Sequence, residues 1–76
     1  MPREDAIRLV GNVVEVLGER LCRVELSNGH RLLAYASARN QLVMAAMAMV
    51  GPGSRLQIEL SPFDFSRGRI ISVERN

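Results

Sequence analysis

The sequence predicts an all-β domain: a small five-stranded barrel with one short helix between strands 3 and 4. Three observations carry this. Residues 22–36, CRVELSNGHRLLAYA, alternate apolar and polar on both sides of Asn28-Gly29, the mark of two antiparallel strands around a tight turn. Residues 55–60 alternate in the same way, with Leu56, Ile58 and Leu60 set against Arg55, Gln57 and Glu59. Between these stretches, residues 40–50 are rich in alanine, methionine and leucine, all good helix formers.

Taken in order, residues 1–6 read as a polar, flexible arm ahead of the domain. Residues 7–17 read as a long first strand, with Ile7, Leu9, Val13 and Leu17 on one phase and Val10, Val14 and Val16 on the other. Gly11 sits where the phases blur, which suits a bulge or sharp coil in a curved strand. Gly18 to Arg20 turn the chain. In the hairpin, Cys22, Val24, Leu26, Leu32, Ala34 and Ala36 share the apolar face, while Arg23, Glu25, Arg31, Leu33 and Tyr35 point away from it. Asn28-Gly29 is expected as a two-residue turn, because such turns need positive φ and both residues tolerate it. Ser37 is placed to cap the helix and Gly51-Pro52 to stop it. Ser61-Pro62 ends the fourth strand, residues 63–68 read as a loop, and residues 69–73 as the last strand.

Five short strands with a helix between the third and fourth is the layout of the OB-fold, a small barrel that binds oligonucleotides. Rolling the sheet closed covers its apolar face and removes most of its exposed edge. An SH3-like barrel is the structural competitor, and the helix in that position favours the OB reading. Residues 7–76 are thus expected to form one domain.

Composition limits the function classes. A chain of 76 residues makes one domain, and one this small buries only about 60% of the surface its unfolded chain exposes. Cys22 is the single cysteine and His30 the single histidine, so an internal disulfide, a cysteine-rich zinc site and histidine-based catalysis lack their residues. Glu4, Asp5, Glu15 and Glu19 show no spacing that marks an acid–base pair. No enzyme, cofactor or metal is expected. The net charge of +2 is mild, but all ten basic residues are arginine. Arginine gives planar, multi-donor contact with phosphate and stacks on bases; coding bias of the source genome accounts for the same usage equally well. The start, Met1-Pro2-Arg3-Glu4-Asp5, has no signal-peptide core. The longest apolar run, residues 42–50, falls well short of the roughly 20 residues that span a bilayer. A soluble cytoplasmic protein without a membrane partner is expected.

Several pieces carry a family likeness. They are the acidic arm around Glu4-Asp5, the first strand with Gly11, RVELSNGH over residues 23–30, residues 34–37, and SPFDFSRGRI over residues 61–70. With these the chain resembles bacterial translation initiation factor one along most of its length. The resemblance implies an OB-fold on the small ribosomal subunit at the decoding site, touching ribosomal RNA, acting beside the other initiation factors and without catalysis. The chain departs from the family at the helix. There the family is usually basic and helps grip RNA, whereas Arg39 is the only charge between Ser37 and Val50. Tyr35 stands where many members have histidine. A divergent or specialised version of the factor fits as well as the housekeeping one.

An OB-fold grips nucleic acid by aromatic stacking and a cationic track along the backbone. Arg67 and Arg69, around Gly68, are the leading RNA-contact candidates, supported by the resemblance; Gly68 is read as letting the backbone approach a partner. A solvated loop with an ion pair to Asp64 is the plainer reading. Tyr35 faces outward and either stacks on a base or covers an apolar edge. Arg23 and Arg31 are outward cations, Arg23 being either a phosphate contact or a cross-strand partner. Arg39 and His30 complete the candidate set. Phe63 and Phe65 are expected to pack against the barrel. Leu42, Val43, Met44, Met47, Met49 and Val50 are too many apolar side chains for one helix face. Either the helix plugs the barrel with its alanines in solvent, or its outer face docks on a protein or a second copy; a monomer is expected. Two rivals to the initiation-factor reading are a general single-strand RNA binder of cold-shock type and a protein-interaction module using this helix.

Overall fold

The structure, a computed structural model, describes residues 6–74. Residues 1–5 of the expected arm, with Arg75 and Asn76, lie outside the described residues. β1 (Ile7–Gly18), β2 (Leu21–Glu25) and β3 (Arg31–Tyr35) come first. The helix α1 (Gln41–Ala46) and a 3₁₀ turn at Met47–Met49 follow, and then β4 (Arg55–Ser61) and β5 (Asp64–Val73). The strands close into a barrel in the order β1-β2-β3-β5-β4. All neighbours are antiparallel except β3 and β5, which run parallel. This is the OB-fold that the alternation predicts.

Alternation decides which residues go inside. Cys22 and Val24 on β2, Leu32 and Ala34 on β3, Leu56, Ile58 and Leu60 on β4, and Ile70 on β5 are all buried. Burying one such leucine or isoleucine fully contributes about 1.5–3 kcal/mol, so a strand flipped by one residue would forfeit several contributions at once. Burial also pushes the Cys22 thiol above its ordinary pKa.

β1 serves two neighbours. Ile7 to Asn12 pair with β4, and Asn12 to Gly18 pair with β2. The bulges expected at Gly11 fall elsewhere, between Val13 and Glu15 and between Val16 and Gly18. Gly11 instead faces inward without breaking register. A Cβ there would sit 3.2 Å from Val24 Cβ and crowd it, so the glycine eases packing between strands.

Local chemistry moves three more boundaries. The hairpin loop has three residues, not two. The Gly29 N–H donates to Leu26 O at 2.9 Å, closing a turn, and the Leu26 N–H donates to His30 O at 2.8 Å. Only Gly29 takes positive φ, at 87°, because a turn of this length needs just one left-handed residue. Asn28 contributes its side chain instead, its Oδ1 accepting from the His30 N–H. Asn40, not Ser37, caps α1, with its Oδ1 accepting from the Val43 N–H at 3.1 Å; Ser37 Oγ accepts from the Arg39 N–H one turn earlier. Finally, residues 64–68, read as loop, belong to β5. Ser61 pairs with Asp64 around a tight Pro62-Phe63 turn, and after a register shift β5 runs between β4, paired from Gly68 to Val73, and β3, paired from Arg67 to Arg69. Its side chains there are mostly exposed, so no apolar alternation marks it.

The helix packs on the barrel as the first expectation has it, but leaves part of its apolar surface bare. Val43 and Met47 enter the core, Met44 and Val50 pack against it, and Ala45 and Ala48 face solvent. Leu42 and Met49 are nonetheless 86% exposed. No described helix is long and apolar enough to cross a membrane.

Candidate nucleic-acid interface

Register assembles a single outer face from all five strands. Leu33 lies opposite Arg67, Ala34 opposite Gly68, and Tyr35 opposite Arg69 in the parallel β3–β5 pair. Ala34 and Gly68 point inward and are buried, so Arg67 and Arg69 both point outward beside Leu33 and Tyr35. Neighbouring strands lie about 4.8 Å apart, which brings the phenol alongside a guanidinium. The same cross-strand row continues through Glu59 on β4 to Arg8 on β1 and, on the other side, to Leu21 on β2.

Gly68 acts differently from the expectation. It is buried against the interior, and a Cβ there would meet Leu60 Cδ2 at 2.9 Å and Leu32 Cδ1 at 3.4 Å. Its smallness serves core packing, not the approach of a partner. The consequence for the site is the same, since an inward glycine leaves its two arginine neighbours side by side on the outer surface.

Tyr35, Arg67 and Arg69 line one open groove of about 1210 Å³, together with Arg8, Glu59 and Asp64. A second, shallower depression holds Arg39 and Asn40 and shares Arg8, Glu59 and Arg69 with the first. Arg39 therefore adjoins the main groove across that shared cluster. Tyr35 is 42% exposed, enough to offer part of its ring.

The charges are interleaved. Glu59 Oε1 accepts from Arg69 Nη2 at 3.0 Å, and its other oxygen lies 3.7 Å from Arg8 Nε. Arg67 has no carboxylate within ion-pair distance among the described residues. Its field still reaches Asp64, whose carboxyl is held below its ordinary pKa. The causes are the Ser66 hydroxyl and backbone N–H, which both donate to it, and then Arg67. Arg67 is thus the freest cation of the groove.

Arg23, Arg31 and His30 stand outside the groove. Arg23 faces outward beside Leu33 and donates to Glu15 on β1 at 2.9 Å, the strand partner of its register. Arg31 donates to Glu25 at 3.0 Å. Exposed pairs of this kind contribute about 0.2–1 kcal/mol, so either arginine can be drawn away by a phosphate at small cost. His30 Nε2 lies 2.9 Å from the Phe65 carbonyl oxygen and joins the β2–β3 loop to the start of β5.

Two groove residues, Arg8 and Glu59, lie outside the candidate set. The alternation of strands 1 and 4 turns both outward, but only their pairing across β1 and β4 brings them to Arg69. The two phenylalanines correct an expectation. Neither is buried against the barrel: Phe63 is 88% exposed and Phe65 48%. Phe63 sits at the corner between paired Ser61 and Asp64, with its ring in solvent. Among the described residues, no group of three or more His, Cys, Asp or Glu side chains is placed to hold a metal ion.

No family model matches the chain. Among solved structures, the chain is similar to translation initiation factor one from the Wolbachia endosymbiont strain TRS of Brugia malayi, determined in solution. The TM-score is 0.67 and the identity 25%, over 96% of this chain and 80% of that one. The barrel described above is therefore an OB-fold with the architecture of that initiation factor.

Proposed function

We propose that the protein is a translation initiation factor of the factor-one type. It binds the small ribosomal subunit near the decoding (A) site through ribosomal RNA and assists initiation without catalysis. The observation that carries this is the β3–β5 register, which sets Arg67 and Arg69 beside Tyr35 along one groove of a barrel similar to initiation factor one. Guanidinium groups neutralise phosphates, the tyrosine stacks on an unpaired base, and the filled site blocks premature tRNA entry. Arg67 and Arg69 supply the main grip and Arg39 extends it across the adjoining depression. Arg23, Arg31 and His30 add contacts at the margin. The protein acts as a cytoplasmic monomer alongside the other initiation factors.

The test is sedimentation with purified small ribosomal subunits, comparing the parent chain with Arg67→Ala and Arg69→Ala. Both substitutions weaken binding. Each also lowers the steepness of the log–log salt dependence by about 0.7, the value for one phosphate contact on a single strand. Binding that ignores salt, or that survives both substitutions, contradicts the reading. Equal affinity for unstructured RNA and for small subunits would favour a general single-strand binder instead. The exposed Leu42 and Met49 support a second, protein-docking role for α1, and a partner that binds through them without need of Arg67 would establish it.

A further inference from the structure

The side chain of Phe63 is 88% exposed, yet the backbone around it is hydrogen-bonded at several points. Phe63 and Pro62 are the two corner residues between paired Ser61 and Asp64. Pro62 fixes its own φ. The Phe63 N–H donates to Ser61 Oγ at 3.1 Å. Asp64 Oδ1 accepts from the Ser66 N–H at 2.9 Å, and His30 Nε2 reaches across from the β2–β3 loop to the Phe65 carbonyl oxygen. A phenyl ring is therefore held out in water on a hydrogen-bonded turn, where leaving the ring uncovered is unfavourable.

What covers that ring must fit its surroundings. Ser61 and Asp64, on either side of the turn, line the same groove as Arg67, Arg69 and Tyr35. A partner seated there presents negative charge to the arginines and a flat apolar face to the turn. A nucleotide has both within one unit. The Asp64 carboxylate repels phosphate from the turn itself, which leaves the phosphates over Arg67 and Arg69 and the base over the ring.

We propose that Phe63 is a base-stacking residue, covering an unpaired base of the bound RNA whose phosphates lie along Arg67 and Arg69. This rests on the reading that the groove takes ribosomal RNA. The ring is the second stacking surface of the interface, on the turn between the groove residues Ser61 and Asp64.

Equilibrium binding to purified small ribosomal subunits tests it, with Phe63→Ala, Phe63→Leu, Phe63→Tyr and Arg67→Ala measured together. Stacking one base on an aromatic ring corresponds to roughly 5- to 150-fold in affinity. Phe63→Ala and Phe63→Leu should both weaken binding within that range, with Phe63→Tyr within about twofold of the parent. The salt slope should stay unchanged in all three, because no phosphate contact is lost. Full binding by Phe63→Leu with loss in Phe63→Ala overturns the proposal, since an aliphatic side chain fills a protein pocket but offers no π-face. Unchanged binding in Phe63→Ala beside weakened Arg67→Ala overturns it while the RNA reading stands. Unchanged binding in both removes that reading and the proposal with it.

Discussion

The groove on β3, β4 and β5 and the α1 end of the barrel are built on one core but to opposite plans. On the groove, cross-strand register sets Arg8, Glu59, Arg69 and Tyr35 in one row, with Arg67 beside it. At α1 the surface is alanine with two bare apolar side chains, Leu42 and Met49, and Arg39 is the only charge between Ser37 and Val50. A charged surface can thus be assembled from residues far apart in sequence without any charge run to announce it. On the proposed function, salt-dependent binding belongs to the groove, and the helix end contributes mainly by shape.

The largest expected effect breaks both regions together. Leu60→Ala removes a buried side chain that also fills the space beside Gly68. It should cost about 2–5 kcal/mol of stability, read by chemical denaturation, and a loss below about 1 kcal/mol would mean that the core does not support the two faces jointly. Asn40→Ala acts on the helix end alone. Loss of its bond to the Val43 N–H should cost about 1 kcal/mol, while binding to small subunits stays within about twofold. A larger binding loss would show that α1 does more than shape the surface. Smaller again is the effect of replacing Leu42 and Met49 by glutamine. Stability and the salt slope should both hold, because the two side chains are already in water and carry no charge. A changed salt slope would blur the contrast between the regions. Met47 cannot serve this comparison, since it is buried and a polar group there would sit in the core.

The smallest effect is confined to acid. Asp64 is held below its ordinary pKa of 3.8 by Ser66 and Arg67. A depressed carboxyl adds stability above its unfolded value and loses it as the pH falls through its folded value. The turn carrying Phe63 should therefore be unaffected at neutral pH and loosen only below 3.8. The Ser66 amide shift followed by NMR against pH checks this, and a midpoint at or above 3.8 contradicts it.

Much of the fold is legible in the sequence because alternation is a local property. Leu56, Ile58 and Leu60 declare their face by period alone, and so do Cys22, Val24, Leu32 and Ala34. Residues 64–68 do not, because a strand exposed on both faces has no alternation to read. Gly11 and Gly68 signal that something small is favoured but not why. Their neighbours Val24 and Leu60 come from other strands. The candidate site is legible in part. Tyr35, Arg67 and Arg69 stand out one by one, whereas Arg8 and Glu59 enter only with the β1–β4 and β4–β5 pairings.

Residue type and spacing along the chain were enough to set the strands, the helix, the inward faces and the all-arginine character of the basic surface. Folding in three dimensions settled the rest: which arginines are neighbours, which are already engaged by carboxylates, and which aromatic ring stands bare. Those depend on register between strands and on where each turn sets its side chains, and neither is written in any single segment.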